Sequence, residues 1–178
     1  MKQLATVVAG LAALVLATAS SALAAGNDTP GAVYALTNAT SGNAVAVYDR
    51  GADGRLSAPR FYATDGLGNG AGLGSQGGLA LSGNKQWLLA VNPASNTVSE
   101  FAVGNGTLRL VDVVSSFGTN PVSIAVRKNV AYVVNGGSLS IQGYTFDNQG
   151  LTPIFGSGRS LSAGTNCGRS SATKKGDV

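Results

Sequence analysis

An all-β fold of repeated antiparallel blades, a β-propeller, is what this sequence predicts, and three observations predict it. First, one strand-turn-strand unit is written three times, at residues 33–56, 87–108 and 130–151. Second, its markers keep step. Asn92 to Asn135, Phe101 to Tyr144 and Leu108 to Leu151 are each 43 positions apart. The preceding intervals, from Asn38, Tyr48 and Leu56, are 54, 53 and 52. Third, 26 glycines punctuate short apolar runs while charged residues make up only 11% of the chain. A period of roughly 40–50 residues built from short strands is the pattern of propeller blades.

Residues 1–25 carry Lys2 as their only charge, then an apolar run, then Ala22-Leu23-Ala24. A basic start, a short apolar core and a small-x-small site describe a secretory signal helix, cleaved near Ala24 or Ala25. A membrane anchor would need about 20 uninterrupted apolar residues, and Thr18, Ser20 and Ser21 break this run. A secreted or periplasmic chain without a stable membrane anchor is therefore expected. Cys167 is the only cysteine, so no intrachain disulfide can staple the fold.

The expected body, residues 26–166, holds blades at about 31–64, 77–115 and 121–163. In the first, residues 32–38, 44–49 and 56–64 read as strands around the turns 40–43 and 51–54. Units two and three each have a further strand in front, at 78–82 and 122–126, and the first has none. The second unit continues through strands at 86–92, 97–103 and 107–115. The third continues through 129–135, 138–146 and 151–155. Residues 167–178 show no alternation and an excess of charge, which reads as a disordered tail.

Residues 65–78, DGLGNGAGLGSQGG, account for the longer first interval. Gly72 to Gly77 formally matches a dinucleotide fingerprint, but that motif needs a helix after the glycines. A strand pattern follows instead, so a flexible loop between blades is the better reading. Loops of this length also line ligand sites.

The formal charge of +4 does not point to nucleic acid. Between residues 26 and 166 there are eight basic and seven acidic groups, with no basic stripe interleaved with aromatics. Histidine is absent from the chain, which removes the commonest general base and metal ligand. The acids Asp28, Asp49, Asp53, Asp65, Glu100, Asp112, Asp147 and Asp177 are scattered without paired spacing. Asp53 and Asp147 suit turns, and Glu100 alternates with Phe101 on a strand. Trp87 and Phe101 read as packing between blades, with sugar stacking by Trp87 as the alternative. Arg127-Lys128 reads as a solvated turn, and the sequons at Asn27, Asn38 and Asn105 read as turn residues. No catalytic residue is assigned, and no cofactor or metal site is expected.

VYALTN, WLLAVN and AYVVN, each followed by an alternating strand and an xGxL turn, resemble the lactonase family of seven-bladed propellers. The stretch GLGSQGGLALSGNKQWLLAVNPASNTVSEF is similar to its exported members, which include 6-phosphogluconolactonase-like and 3-carboxymuconate-cyclase-like proteins. The resemblance implies about three four-stranded blades of a seven-bladed parent that acts on a sugar-acid or aromatic-acid lactone. The chain alone would then be inactive, with open blade faces that favour self-association. A non-catalytic exported propeller that binds a small molecule or a protein partner is the alternative.

Overall fold

A computed structural model describes residues 31–75 and 77–161. The expected signal segment, Asp28, the Asn27 sequon, Cys167 and the charged tail with Asp177 lie outside the described residues. Among the described residues every regular element is a strand, and all pairing between strands is antiparallel. No helix among them is long and apolar enough to cross a membrane.

The strands form three sheets in chain order. The first holds β1 (Ala32–Leu36), β2 (Ala44–Asp49) and β3 (Arg60–Ala63), ordered β1-β2-β3. The second holds β4 (Leu79–Leu81), β5 (Trp87–Asn92), β6 (Thr97–Val103) and β7 (Leu108–Ser115), again in sequence order. In the third, β8 (Pro121–Arg127), β9 (Val130–Asn135), β10 (Ser140–Asp147) and β11 (Gly150–Pro153) repeat this meander. A short β12 (Arg159–Ser160) pairs with β10 beyond the end of β11. The predicted all-β propeller of about three blades is what the described residues form, and among them the first blade has no innermost strand.

Strand alternation decides where the core lies. A middle blade buries both faces, so its strands read as nearly continuous apolar runs. β5 is WLLAVN, with Leu88 and Ala90 facing blade 1 and Leu89 and Val91 facing blade 3. One cluster therefore sits between blades 1 and 2, where Val45 and Val47 meet Leu88, Ala90, Phe101 and Leu108. A larger one sits between blades 2 and 3, where Leu89, Val91 and Val98 meet Ile124, Val133, Tyr144, Phe146 and Leu151. Trp87 packs against this second cluster, which answers the sugar-stacking alternative with a packing role.

The register corrects one marker of the repeat. Asn92 pairs with Thr97 and Asn135 with Ser140. In blade 1 the corresponding bond runs from the Thr37 N–H to the Ala44 carbonyl, so Thr37, not Asn38, fills that position. Asn38 sits one residue further on, in the turn, at φ 53°. Tyr34 and Leu36 thereby align with Leu89 and Val91 and face blade 2. The aromatic marker holds. Phe101 and Tyr144 face the preceding blade, and Tyr48 lies on the open face of blade 1 opposite Val33.

Candidate functional site

Three features of the described residues carry chemistry. The first is a rim formed by the turns after β1, β5 and β9 together with the loop 65–75. That loop is not loose. The Gly66 and Leu67 carbonyls accept from the Asn43 and Ala94 N–H groups, and the Gly68 and Gly70 N–H groups donate to Ala39 and Asn38. A Cβ at Gly68 would stand 2.2 Å from the Asn38 carbonyl oxygen. The glycines of this run thus serve close approach to the first turn, where the sequence suggested flexibility.

Along this rim runs a chain of side-chain amides. Asn38 Nδ2 donates to Asn69 Oδ1 at 2.7 Å and to the Ala71 carbonyl at 2.6 Å. Asn69 Nδ2 reaches Asn120 Oδ1 at 3.3 Å, and the Asn120 N–H donates to Asn96 Oδ1 at 2.8 Å. Asn38, Asn96 and Asn120 all sit at positive φ, which asparagine tolerates better than most residues. The chain links the turns of blades 1 and 2 to the start of blade 3. It is neutral and rich in both donors and acceptors, a surface suited to hydroxyl-bearing ligands.

Below the rim, buried polar groups tie blade 1 to blade 2. Asn92 Oδ1 accepts from Asn43 Nδ2 at 2.9 Å and Thr64 Oγ1 at 2.7 Å. Its Nδ2 donates to Thr97 Oγ1 at 3.1 Å and Ser99 Oγ at 2.8 Å. Ser99 Oγ in turn donates to the Thr64 carbonyl at 2.6 Å.

The second feature is a cleft of about 450 Å³ at the opposite end of the blades, lined by Tyr34, Asp49, Arg60, Lys85 and the turn 104–107. Arg60 grips Asp49 with two hydrogen bonds of 2.6 and 2.8 Å and donates a third to the Gly106 carbonyl at 2.7 Å. The hydrogen bond from Arg60 holds the Asp49 carboxyl below the usual carboxylate range. Burial, reinforced by Asp49, raises the Tyr34 hydroxyl above its ordinary value. Asn105 of the predicted sequon lies in this cleft. The third is an apolar groove of about 410 Å³ between β1 and β4, lined by Leu36, Leu73, Leu79, Leu81 and Leu88. It lies where, among the described residues, the first blade has no inner strand.

Of the acids singled out in the sequence, the structure brings Glu100, Asp112 and Asp147 near one another, in the joint between blades 2 and 3 and away from the cleft. Asp53 accepts from the Arg55 N–H at 3.0 Å and Asp147 from the Gln149 N–H at 2.8 Å, as turn residues do. Asp65 occupies an exposed turn at φ 55°. Asp112 Oδ1 accepts from the Val113 N–H at 2.8 Å and its Oδ2 from the Leu151 N–H at 3.1 Å. Glu100 is fully buried with both oxygens unpartnered. No group of three or more histidine, cysteine, aspartate or glutamate residues among the described residues could hold a metal. Gly72 to Gly77 precede strand β4, and a Cβ at Gly77 would stand 2.4 Å from Ser123 Oγ. That glycine lies against β8 in a site with no helix after it. The amide chain through Asn69 and the Asp49–Arg60 pair escaped the sequence reading, because each joins residues far apart in the chain.

No protein-family model matches the chain, and no curated protein matches it. Solved structures do. A 6-phosphogluconolactonase candidate from Bacteroides fragilis aligns over 66% of this chain and 33% of its own, at 23% identity and a TM-score of 0.56. A periplasmic gluconolactonase from Pseudomonas aeruginosa aligns over 69% of this chain and 35% of its own, at 25% identity and a TM-score of 0.54. The fold is that of the lactonase-like propellers. A protein from Lactobacillus plantarum shares it at 17% identity and a TM-score of 0.58, over 75% of this chain and 40% of its own. The chain thus spans between a third and two fifths of the length of these lactonase-like propellers and their relatives.

Proposed function

We propose that this chain is part of an exported propeller that acts on lactones of sugar acids, and that it supplies binding surface more than reacting groups. The observation that carries the reading is the 25% identity to a periplasmic gluconolactonase over 69% of the chain. The amide chain through Asn38, Asn69 and Asn120 supports it, because a sugar-acid lactone presents hydroxyls and a neutral ring ester that such amides can bind. Lactone opening also needs a group to activate water. The chain has no histidine, and the described acids are engaged in turns, in an ion pair, in hydrogen bonds from strand backbone or in the dry interior. The reacting groups are therefore assigned to blades outside this chain.

The test begins with the gene beyond the Val178 codon, translated in every frame, and the longest product that resumes the blade pattern. That product should hydrolyse gluconolactone or a related sugar-acid lactone, and the 178-residue chain alone should not. If the longer product turns over nothing in a broad lactone panel, the enzymatic reading fails. Calorimetric binding without turnover would establish the alternative, a propeller that only binds.

Self-association of the isolated chain belongs to the same proposal. Blade 1 turns Val33 and Phe61, 38% and 63% exposed, away from blade 2, and blade 3 leaves Tyr132 42% exposed. Blade faces of this kind are covered by neighbours in a closed ring. Light scattering on the purified 178-residue chain should detect oligomers that grow with concentration. A stable monomer at high concentration would contradict this.

A further inference from the structure

Among the residues buried in the two joints between blades, one acidic side chain stands out. Residues 97–101 pair with β5 in the register in which 44–48 pair with β1 and 140–144 with β9. The position that Glu100 fills on β6 is therefore filled by Val47 on β2 and by Gly143 on β10. Val47 is fully buried between blades 1 and 2. Glu100 is fully buried as well, on the face that Val98 turns toward blade 3, and neither of its oxygens has a hydrogen-bond partner.

The ionisable groups that press on its carboxyl are themselves acids. Asp112 lies directly opposite on β7, and Asp147 ends β10 in the facing blade. Tyr144 on β10 has its hydroxyl committed to the Ser115 carbonyl at 2.7 Å. β5 contributes Leu89, β9 contributes Ala131 and Val133, and β11 contributes Leu151. Arg127, at the end of β8, gives Glu100 no hydrogen bond. Neither the charged cleft nor the apolar groove reaches Glu100, so a role in catalysis at those sites has no route to it.

We propose that Glu100 makes the joint between blades 2 and 3 a proton-operated latch, closed while its carboxyl is neutral and loosened when it ionises. A neutral carboxylic acid is tolerated in a dry interface far better than a carboxylate, which must either draw in water or bear the desolvation cost. Burial first, then the negative charges of Asp112 and Asp147, push the Glu100 carboxyl up to about 7 from 4.5. Between those values the folded chain holds a proton that the unfolded chain has released. The stability that this carboxyl contributes is therefore complete below about pH 4.5 and is lost as the pH rises through 7. The switch lies near neutrality because the joint is dry and its two other acids are negative.

Glu100 is the only glutamate in the chain, so carboxyl ¹³C labelling of glutamate yields a single resonance whose titration can be followed. A midpoint near 7 is expected, and a midpoint near 4.5 overturns the proposal. Trp87, the only tryptophan, packs against the same joint and reports its opening by fluorescence. Between pH 5 and pH 8 the folding equilibrium constant of the natural chain should fall by about seventyfold. The Glu100→Gln variant should show no such fall, and a persistent fall in that variant overturns the proposal. Should the glutamine variant fail to fold, the carboxyl titration of the natural chain decides alone.

Discussion

The joint between blades 1 and 2 and the joint between blades 2 and 3 use the same strands in the same register but different chemistry. In the first, each polar atom of the Asn92 side chain is used, and Asn43, Thr64 and Ser99 close the network around it. In the second, the apolar cluster is larger, and the polar groups are left unfinished. Asn135 stands where Asn92 stands, yet its Nδ2 reaches the Ser116 carbonyl at 3.0 Å and Ser140 Oγ only at 3.5 Å. Its Oδ1 has no partner among the described residues, and Glu100 adds two more orphaned oxygens. Repeating a backbone does not repeat its polar satisfaction. One joint is held by a network and the other by buried apolar area.

The sharpest way to break this comparison is to remove the paired asparagines. Asn92→Ala should cost about 4 kcal/mol, because it removes four hydrogen bonds from a buried site at once, one each with Asn43, Thr64, Thr97 and Ser99. Asn135→Ala should cost about 1 kcal/mol, the worth of one ordinary hydrogen bond. Urea unfolding of both variants checks the difference. Equal losses would mean that the two joints are not built differently after all.

Next in size is Glu100→Val, which gives blade 2 the residue that blade 1 has at Val47. At pH 8 the substitution should stabilise the chain by on the order of 3 kcal/mol, through removal of a carboxylate from a dry joint. At pH 5, where the natural carboxyl is largely neutral, the gain should shrink to within about 1 kcal/mol. Thermal unfolding at the two pH values reads it directly. A gain that is the same at both would assign the effect to packing alone.

How much of this was legible in the sequence follows from which forces are local. The strand pattern and the 43-residue period were readable because alternation and turn chemistry act over a few residues. Phe101 and Tyr144 kept their place because each fills the same hole against the preceding blade. Asn38 misled because it looks like Asn92, whereas the hydrogen-bonded register puts Thr37 there. Residues 65–75 looked flexible because glycine permits many conformations. Which one is adopted depends on contacts with Asn38 in the first turn and Asn92 at the end of β5. Glu100 reads as an ordinary strand residue in the sequence, since alternation tells which face it takes but not that another blade covers that face. The clue lay in the repeat itself, where Val47 marks the position as interior.

The smallest effect concerns Tyr144, which occupies the position that Phe101 holds in blade 2. Its ring is fully buried in the larger cluster, and its hydroxyl donates to the Ser115 carbonyl at the end of β7. Burial raises the hydroxyl well above the ordinary tyrosine value, so it stays a donor over any pH at which the fold is handled. Tyr144→Phe keeps the ring in place and removes one hydrogen bond, for an expected cost of about 1 kcal/mol with an unchanged urea slope. That small loss is what a joint held by apolar area predicts, because the ring supplies most of the contribution and the hydroxyl little. A loss approaching that of Asn92→Ala would show that the second joint also depends on a polar tie. Its unfinished groups at Glu100 and Asn135 would then be exceptions within a network, and the contrast between the two joints would fall.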